Sequence, residues 1–162
     1  MRFFTREWYA RLQSVATSVE MDSPSGDKTL AAMWVEAESQ YLAAGAANLR
    51  MLPEELRFLV EHTRFHDGLL RTVVVDKTRI QLRILDRLVR ARYTRDSLVT
   101  FDGVTISTGL PTAEGSIIIY TELTVDETGA YRYSALLTRG EFEIAFESAR
   151  AEFLEITTPT TD

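Results

Sequence analysis

The spacing of hydrophobic residues changes period once along this chain, near residue 68. Before that point apolar positions recur at helical spacing; after it they alternate. In residues 5–20, Trp8, Leu12, Val15 and Val19 form one stripe, widened by Tyr9 and Ala16. Thr5 is placed to cap this helix, and Glu7 suits its positive end. The segment MDSPSGDK that follows is a loop by composition. A second helix is predicted from about Lys28, capped by Asp27, with Leu30, Met33, Trp34, Ala37, Tyr41 and Ala44 on its apolar side. Gly45 lies inside that pattern and is expected to thin or interrupt the helix. A third helix is predicted over residues 52–65, with Pro53 at its first position and Glu54 and Glu55 in its first turn.

After Gly68 the alternation predicts strands. Ile80, Leu82 and Ile84 alternate with Arg79, Gln81 and Arg83. LVTFDGVTIS alternates around Asp102-Gly103, a hairpin-like turn, and SIIIYTELTV is a stronger apolar run. A turn at Thr128-Gly129 precedes a strand carrying Tyr131, Tyr133, Ala135 and Leu137. Phe142, Ile144 and Phe146 then share one face, opposite Glu141, Glu143 and Glu147. Short turns between strands favour antiparallel pairing. The expected fold is therefore α+β: three N-terminal helices packed on one face of a C-terminal antiparallel sheet of five or six strands. It reads as a single domain over 1–162, with a helical part (1–67), a sheet part (68–156) and a polar tail (157–162).

Composition changes this picture little. The chain has 162 residues, enough to bury a sizeable core without a staple. It has no cysteine, which excludes disulfides, thiol nucleophiles and cysteine-held metals. Neither a signal peptide nor a membrane span is legible, so a cytoplasmic location is expected. The net charge of −6 is unevenly spread. Residues 61–95 hold nine basic residues and four acids, whereas residues 101–162 hold three and eleven. Such halves usually face each other or water, but a basic face could also meet an anion.

Candidate chemistry is sparse. His62 and His66 stand four apart, as paired ligands on a metal-binding helix do, and Asp67 could be a third ligand. Glu122 or Glu141 could approach from the sheet. However, the H-E-x-x-H pattern is absent, and the helix should end near residue 66. A helix-closing turn explains the same residues: Gly68 in the left-handed conformation, His66 at the negative helix end, Asp67 bonding backbone amides. Metal and cofactor are accordingly not expected. The arginines of 79–95, chiefly Arg79, Arg83, Arg87 and Arg90, could hold phosphates. Glu141 and Glu143 offer them cross-strand partners instead, and the acidic whole makes nucleic acid a poor fit. No phosphate loop or nucleophile elbow is present. The pair Glu141 and Glu143 reads as a solvated face, and the aromatic stripes as core.

The opening Phe4-Thr5-Arg6-Glu7-Trp8-Tyr9 and the later FHDGLL (65–70) resemble those of an uncharacterised bacterial family, a domain of unknown function. The resemblance implies a cytoplasmic bacterial protein and transfers no catalytic residue or ligand. A layout likeness to small sheet proteins of toxin-immunity loci is an analogy only. The leading expectation is a non-enzymatic interaction module, with the wet sheet face or an edge meeting another protein and no membrane. The alternative is a small metal-dependent or small-molecule-binding enzyme using His62, His66 and nearby carboxylates. The third is anion binding by the arginine segment. Oligomeric state is not legible.

Overall fold

The computed structural model describes Glu7, Ala10 and residues 26–61, 65, 67–88, 93–111 and 115–157. The helix expected over 5–20 lies outside the described residues, apart from Glu7 and Ala10, which stand in helical conformation. Helix α1 spans Gly26–Met51 and α2 spans Glu54–Glu61. α1 runs through Gly45 without a break, contrary to the expected pause. Glycine there costs about 1 kcal/mol relative to alanine, which the alanines around it outweigh. α2 starts directly after Pro53, whose carbonyl accepts from the amides of Leu56 and Arg57. Proline fits this position because its missing N–H would have no helical partner.

Eight strands follow. They are β1 (Gly68–Asp76), β2 (Arg79–Leu88), β3 (Tyr93–Asp102), β4 (Ile106–Thr108), β5 (Ser116–Val125), β6 (Tyr131–Leu137), β7 (Gly140–Phe146) and β8 (Ser148–Thr157). All neighbours are antiparallel, in the order β4-β7-β6-β5-β1-β2-β3-β8. The ends of that order belong to the same chain runs. β4 follows β3 after three residues, and β8 follows β7 after Glu147 alone. Between the β3–β8 and β4–β7 ladders, the Glu147 amide donates to Asp102 O (3.1 Å) and the Thr105 amide to Ala145 O (3.0 Å). The two ladders are thus one bent ladder, and the sheet closes into a ring: β1, β2, β3/β4, β8/β7, β6, β5 and back to β1.

This overturns the expected architecture. Among the described residues there are two helices and eight antiparallel strands, and the structure is mostly sheet. Its core lies inside the closed sheet rather than between a helical layer and an open one. The Asp102-Gly103 pair is a bend, not a hairpin: β4 pairs with β7 and not with β3. Gly103 holds φ 66 at that bend, a conformation costly for other residues.

Alternation fills the interior. Ile80, Leu82 and Ile84 of β2, Val99 and Phe101 of β3, and Phe142, Ile144 and Phe146 of β7 are buried in one cluster. Phe101 stands 5.1 Å from the Tyr133 ring and 4.9 Å from the Phe146 ring, so β3 packs inside the ring on β6, with which it does not pair, as well as on the adjoining run. Leu52, Leu56 and Leu59 bring α2 and the residue before it into the same cluster.

The β5–β6 connection turns where the sequence predicts. Asp126 Oδ1 accepts from the Thr128 amide, the Thr128 hydroxyl and the Ala130 amide, and Oδ2 accepts from Arg132 Nε. These bonds, the Thr128 hydroxyl foremost, hold the carboxyl down at about 2, below its ordinary 3.8. A folded value below the unfolded one stabilises the fold above the unfolded value and is lost as the pH falls through the folded value. Asp126→Asn is therefore expected to lower the urea midpoint at neutral pH. Its gap from wild type should close as the pH falls from about 4 to about 2. A gap that stays constant across that window would place the effect elsewhere.

Candidate functional site

The histidine segment forms no described site. His62 and His66 lie outside the described residues. Asp67 is exposed, and its amide donates to Ile118 O at 2.8 Å. The left-handed residue of this turn is Asp67 (φ 64), not Gly68 as expected. Aspartate tolerates that region better than most side chains. Gly68 serves closeness instead: a Cβ there would stand 3.0 Å from both Ile84 Cγ2 and Phe65 O. Among the described residues, no three His, Asp or Glu side chains come together in a way that could hold a metal ion.

The arginines are arranged otherwise than expected. Arg79 pairs with Asp102, and Arg150 of β8 shares that carboxylate at 2.7 Å. The bond from Arg79 is the largest influence holding Asp102 below the usual carboxylate range. Arg83 grips Asp96 through Nε and Nη2. Arg87 is in β2, though its side chain, like all of Arg90, lies outside the described residues. Their partners are thus acids of β3 rather than Glu141 and Glu143. β2 pairs with β3, while β7 sits across the ring; Glu143 instead accepts from Arg132 of β6. With Arg79 and Arg83 so engaged, an anion would have to displace a carboxylate from each.

One ion pair points inward. Asp86 and Arg95 face each other on β2 and β3 at 2.8 Å, with Asp86 buried and Arg95 nearly so. Burial raises the Asp86 carboxyl above its ordinary value, against the opposing pull of Arg95. Arg95 also lies over the Phe153 ring, 4.6 Å from its centroid.

The ring has one seam, and two features open from it. β1 and β5 pair only through Gly68–Leu70 and Ser116–Ile118, and then part. Each leaves a sheet edge behind. α1 lies along the edge of β5: Tyr41 Oη donates to Thr121 O (2.9 Å) and Asn48 Nδ2 to Leu123 O (3.2 Å). These side chains satisfy carbonyls that a strand would otherwise have met. On the other edge, no described strand pairs with Thr72–Asp76 on the side away from β2. Val74 and Val75 there are 51% and 57% exposed.

The second feature is a cleft of about 260 Å³ between α1, the end of α2 and β5. Leu42, Leu49, Leu59 and Leu123 line it together with Asn48, Thr121, Glu122 and Tyr133. Sequence reasoning missed both features. TVVVD does not alternate, so it gave no strand. Tyr41 and Tyr133 read as core aromatics. Gly45 within a helical run was the one available signal of the cleft.

No family model matches the chain, and no curated protein or solved structure matches it. Among the described residues no helix is long and apolar enough to cross a membrane. Geometry alone carries the functional reading.

Proposed function

We propose that this chain is a protein-interaction module that takes an extended segment of another protein along the edge of β1 that no described strand pairs with. The observation that carries it is the edge itself: Thr72–Asp76 without a described strand partner, in a sheet whose other seam edge is covered by α1. An edge strand offers a row of backbone donors and acceptors, and only an extended chain can match their spacing. Proteins commonly protect such edges with lysine, proline or a bulge. Here Val74 and Val75 stand exposed at its centre, and the bulge lies earlier, between Leu70 and Thr72. The incoming strand would pair antiparallel or parallel to β1 and place an apolar side chain against each valine. A toxin partner would make the module immunity-like, and a bacterial cytoplasmic setting fits that reading.

The test is selection of seven-residue peptides from a random displayed library. Binding is then measured for the wild type and for the double variant Val74→Glu, Val75→Lys. Both sites are exposed, so the variant should keep its melting temperature. Selected peptides should be rich in β-branched residues and lose at least about tenfold in affinity, since charges on an edge oppose strand addition. Peptides that bind both proteins equally would refute edge docking. A concentration-dependent dimer abolished by the same variant would make the segment's source a second copy.

A further inference from the structure

The two ends of the β1 edge carry charges that the neighbouring strands do not balance. Across β2, β3 and β8, Arg83 holds Asp96, Arg95 holds Asp86, and Arg79 and Arg150 share Asp102. Asp76 stands opposite Arg79 in the ladder and attracts its guanidinium, which offsets the second cation of that group. Glu152 lies beside Arg150 on β8, three strands from the edge. Arg71 and Lys77 are left over. Both are exposed, and neither pairs with a described carboxylate.

Irregular backbone sets both residues apart. Arg71 falls at the bulge between Leu70 and Thr72, outside the register, and a bulge re-aims a side chain. Lys77 opens the two-residue turn between β1 and β2, with φ 49. Asparagine or glycine suits that position better, so the turn alone does not ask for lysine. Between them lies Thr72–Asp76, the stretch that an incoming strand would pair with. Six positions separate the two cations, about 20 Å at the usual rise of a strand. Residues 71–83, RTVVVDKTRIQLR, hold four basic residues and one acid in a chain of net charge −6.

We propose that the segment taken at the β1 edge is acidic at both ends: an extended run of about seven residues, β-branched at its centre, with one carboxylate for Arg71 and one for Lys77. The proposal rests on edge docking and adds the chemistry of the partner. Either strand direction satisfies it, because the two cations have the same sign. The end charges steer the segment and fix its register, while the edge and the valines hold its middle. A nucleic acid would meet the cations but leave the amides and carbonyls of the edge unmatched. The sign of the preference is informative, because the charge of the whole chain would draw a basic peptide instead.

The experiment titrates the full chain with three end-capped peptides, EVTVTVE, QVTVTVQ and KVTVTVK, following backbone amide chemical shifts. EVTVTVE should give saturable shifts centred on residues 71–77. It should bind at least about fivefold more tightly than QVTVTVQ, the size of two exposed ion pairs, and KVTVTVK should bind more weakly still. Raising the salt from about 50 to about 500 mM should narrow both gaps. The double variant Arg71→Glu, Lys77→Glu should reverse the order of the three. Arg71→Gln, Lys77→Gln should level it at an unchanged melting temperature, since both side chains are exposed. Equal binding of the three peptides to the wild type, or tightest binding of KVTVTVK, would overturn the acidic preference and leave edge docking standing. Tighter binding of an oligothymidylate of about eight nucleotides than of EVTVTVE would also overturn it, by assigning the cations to a nucleic acid. No shift along the edge with any of the peptides would overturn both readings.

Discussion

Asp86→Ala is expected to destabilise the fold by about 3–5 kcal/mol, the usual cost of removing one partner from a buried ion pair. The carboxylate is buried, and Arg95 faces it from the neighbouring strand at 2.8 Å. Without Asp86 the guanidinium loses the carboxylate that faces it from β2 and stays mostly enclosed beside the Phe153 ring. The double variant Asp86→Leu, Arg95→Met should recover much of that loss. Burying two charges costs several kcal/mol per ion before their attraction repays it, so apolar residues of similar size can serve as well. The Asp86 carboxyl also has a pH signature opposite to that of Asp126. Its folded value is raised, so the fold loses some stability as the pH rises from the unfolded value through the folded one. Chemical denaturation of the single and double variants checks both claims. A double variant as unstable as Asp86→Ala would show that packing, not the unpaired charge, sets the cost.

Phe101→Ala is expected to cost about 3–5 kcal/mol, the range for removing a buried phenylalanine ring. Phe101 is 0% exposed and packs against Phe146 of the adjoining β7/β8 run and Tyr133 of β6, two places round the ring. In an open sheet in the order β4-β7-β6-β5-β1-β2-β3-β8, β3 and β6 lie four places apart and their side chains would not meet; in the closed sheet they come within reach inside the ring. Ile106→Ala is the control, since Ile106 on β4 is exposed and its loss should shift the midpoint little. Similar losses for the two variants would contradict a core centred inside the ring.

Much of the sheet was legible because its interior obeys a period of two. Ile80, Leu82, Ile84, Phe142, Ile144 and Phe146 all point inward as the alternation requires. The turn at Thr128-Gly129 was legible from its residues. Closure was not. It depends on two chain runs bending at Gly103 and Glu147 and pairing at long range, from Thr108 with Glu143 to Thr94 with Thr157, and strand-by-strand periodicity is blind to such distant pairing. The valine run of β1 hid a strand, because three adjacent apolar residues at a protruding hairpin show no alternation. The arginine partners were misplaced for the same reason as the fold: Asp96 and Asp102 are neighbours only once β2 pairs with β3. Gly45 was noticed and read as a weakness of the helix, whereas in the folded chain it borders open space.

The proposed docking edge begins where β1 and β5 part company. Hydrogen exchange of the isolated chain, resolved to single amides, interrogates that point most directly. Along Thr72–Asp76, amides bonded to β2 should be protected and those facing outward should exchange nearly as fast as an open loop, while β2 stays protected throughout. Uniformly slow exchange across all five residues in the monomer would mean that the edge is already occupied and has no room for an incoming strand.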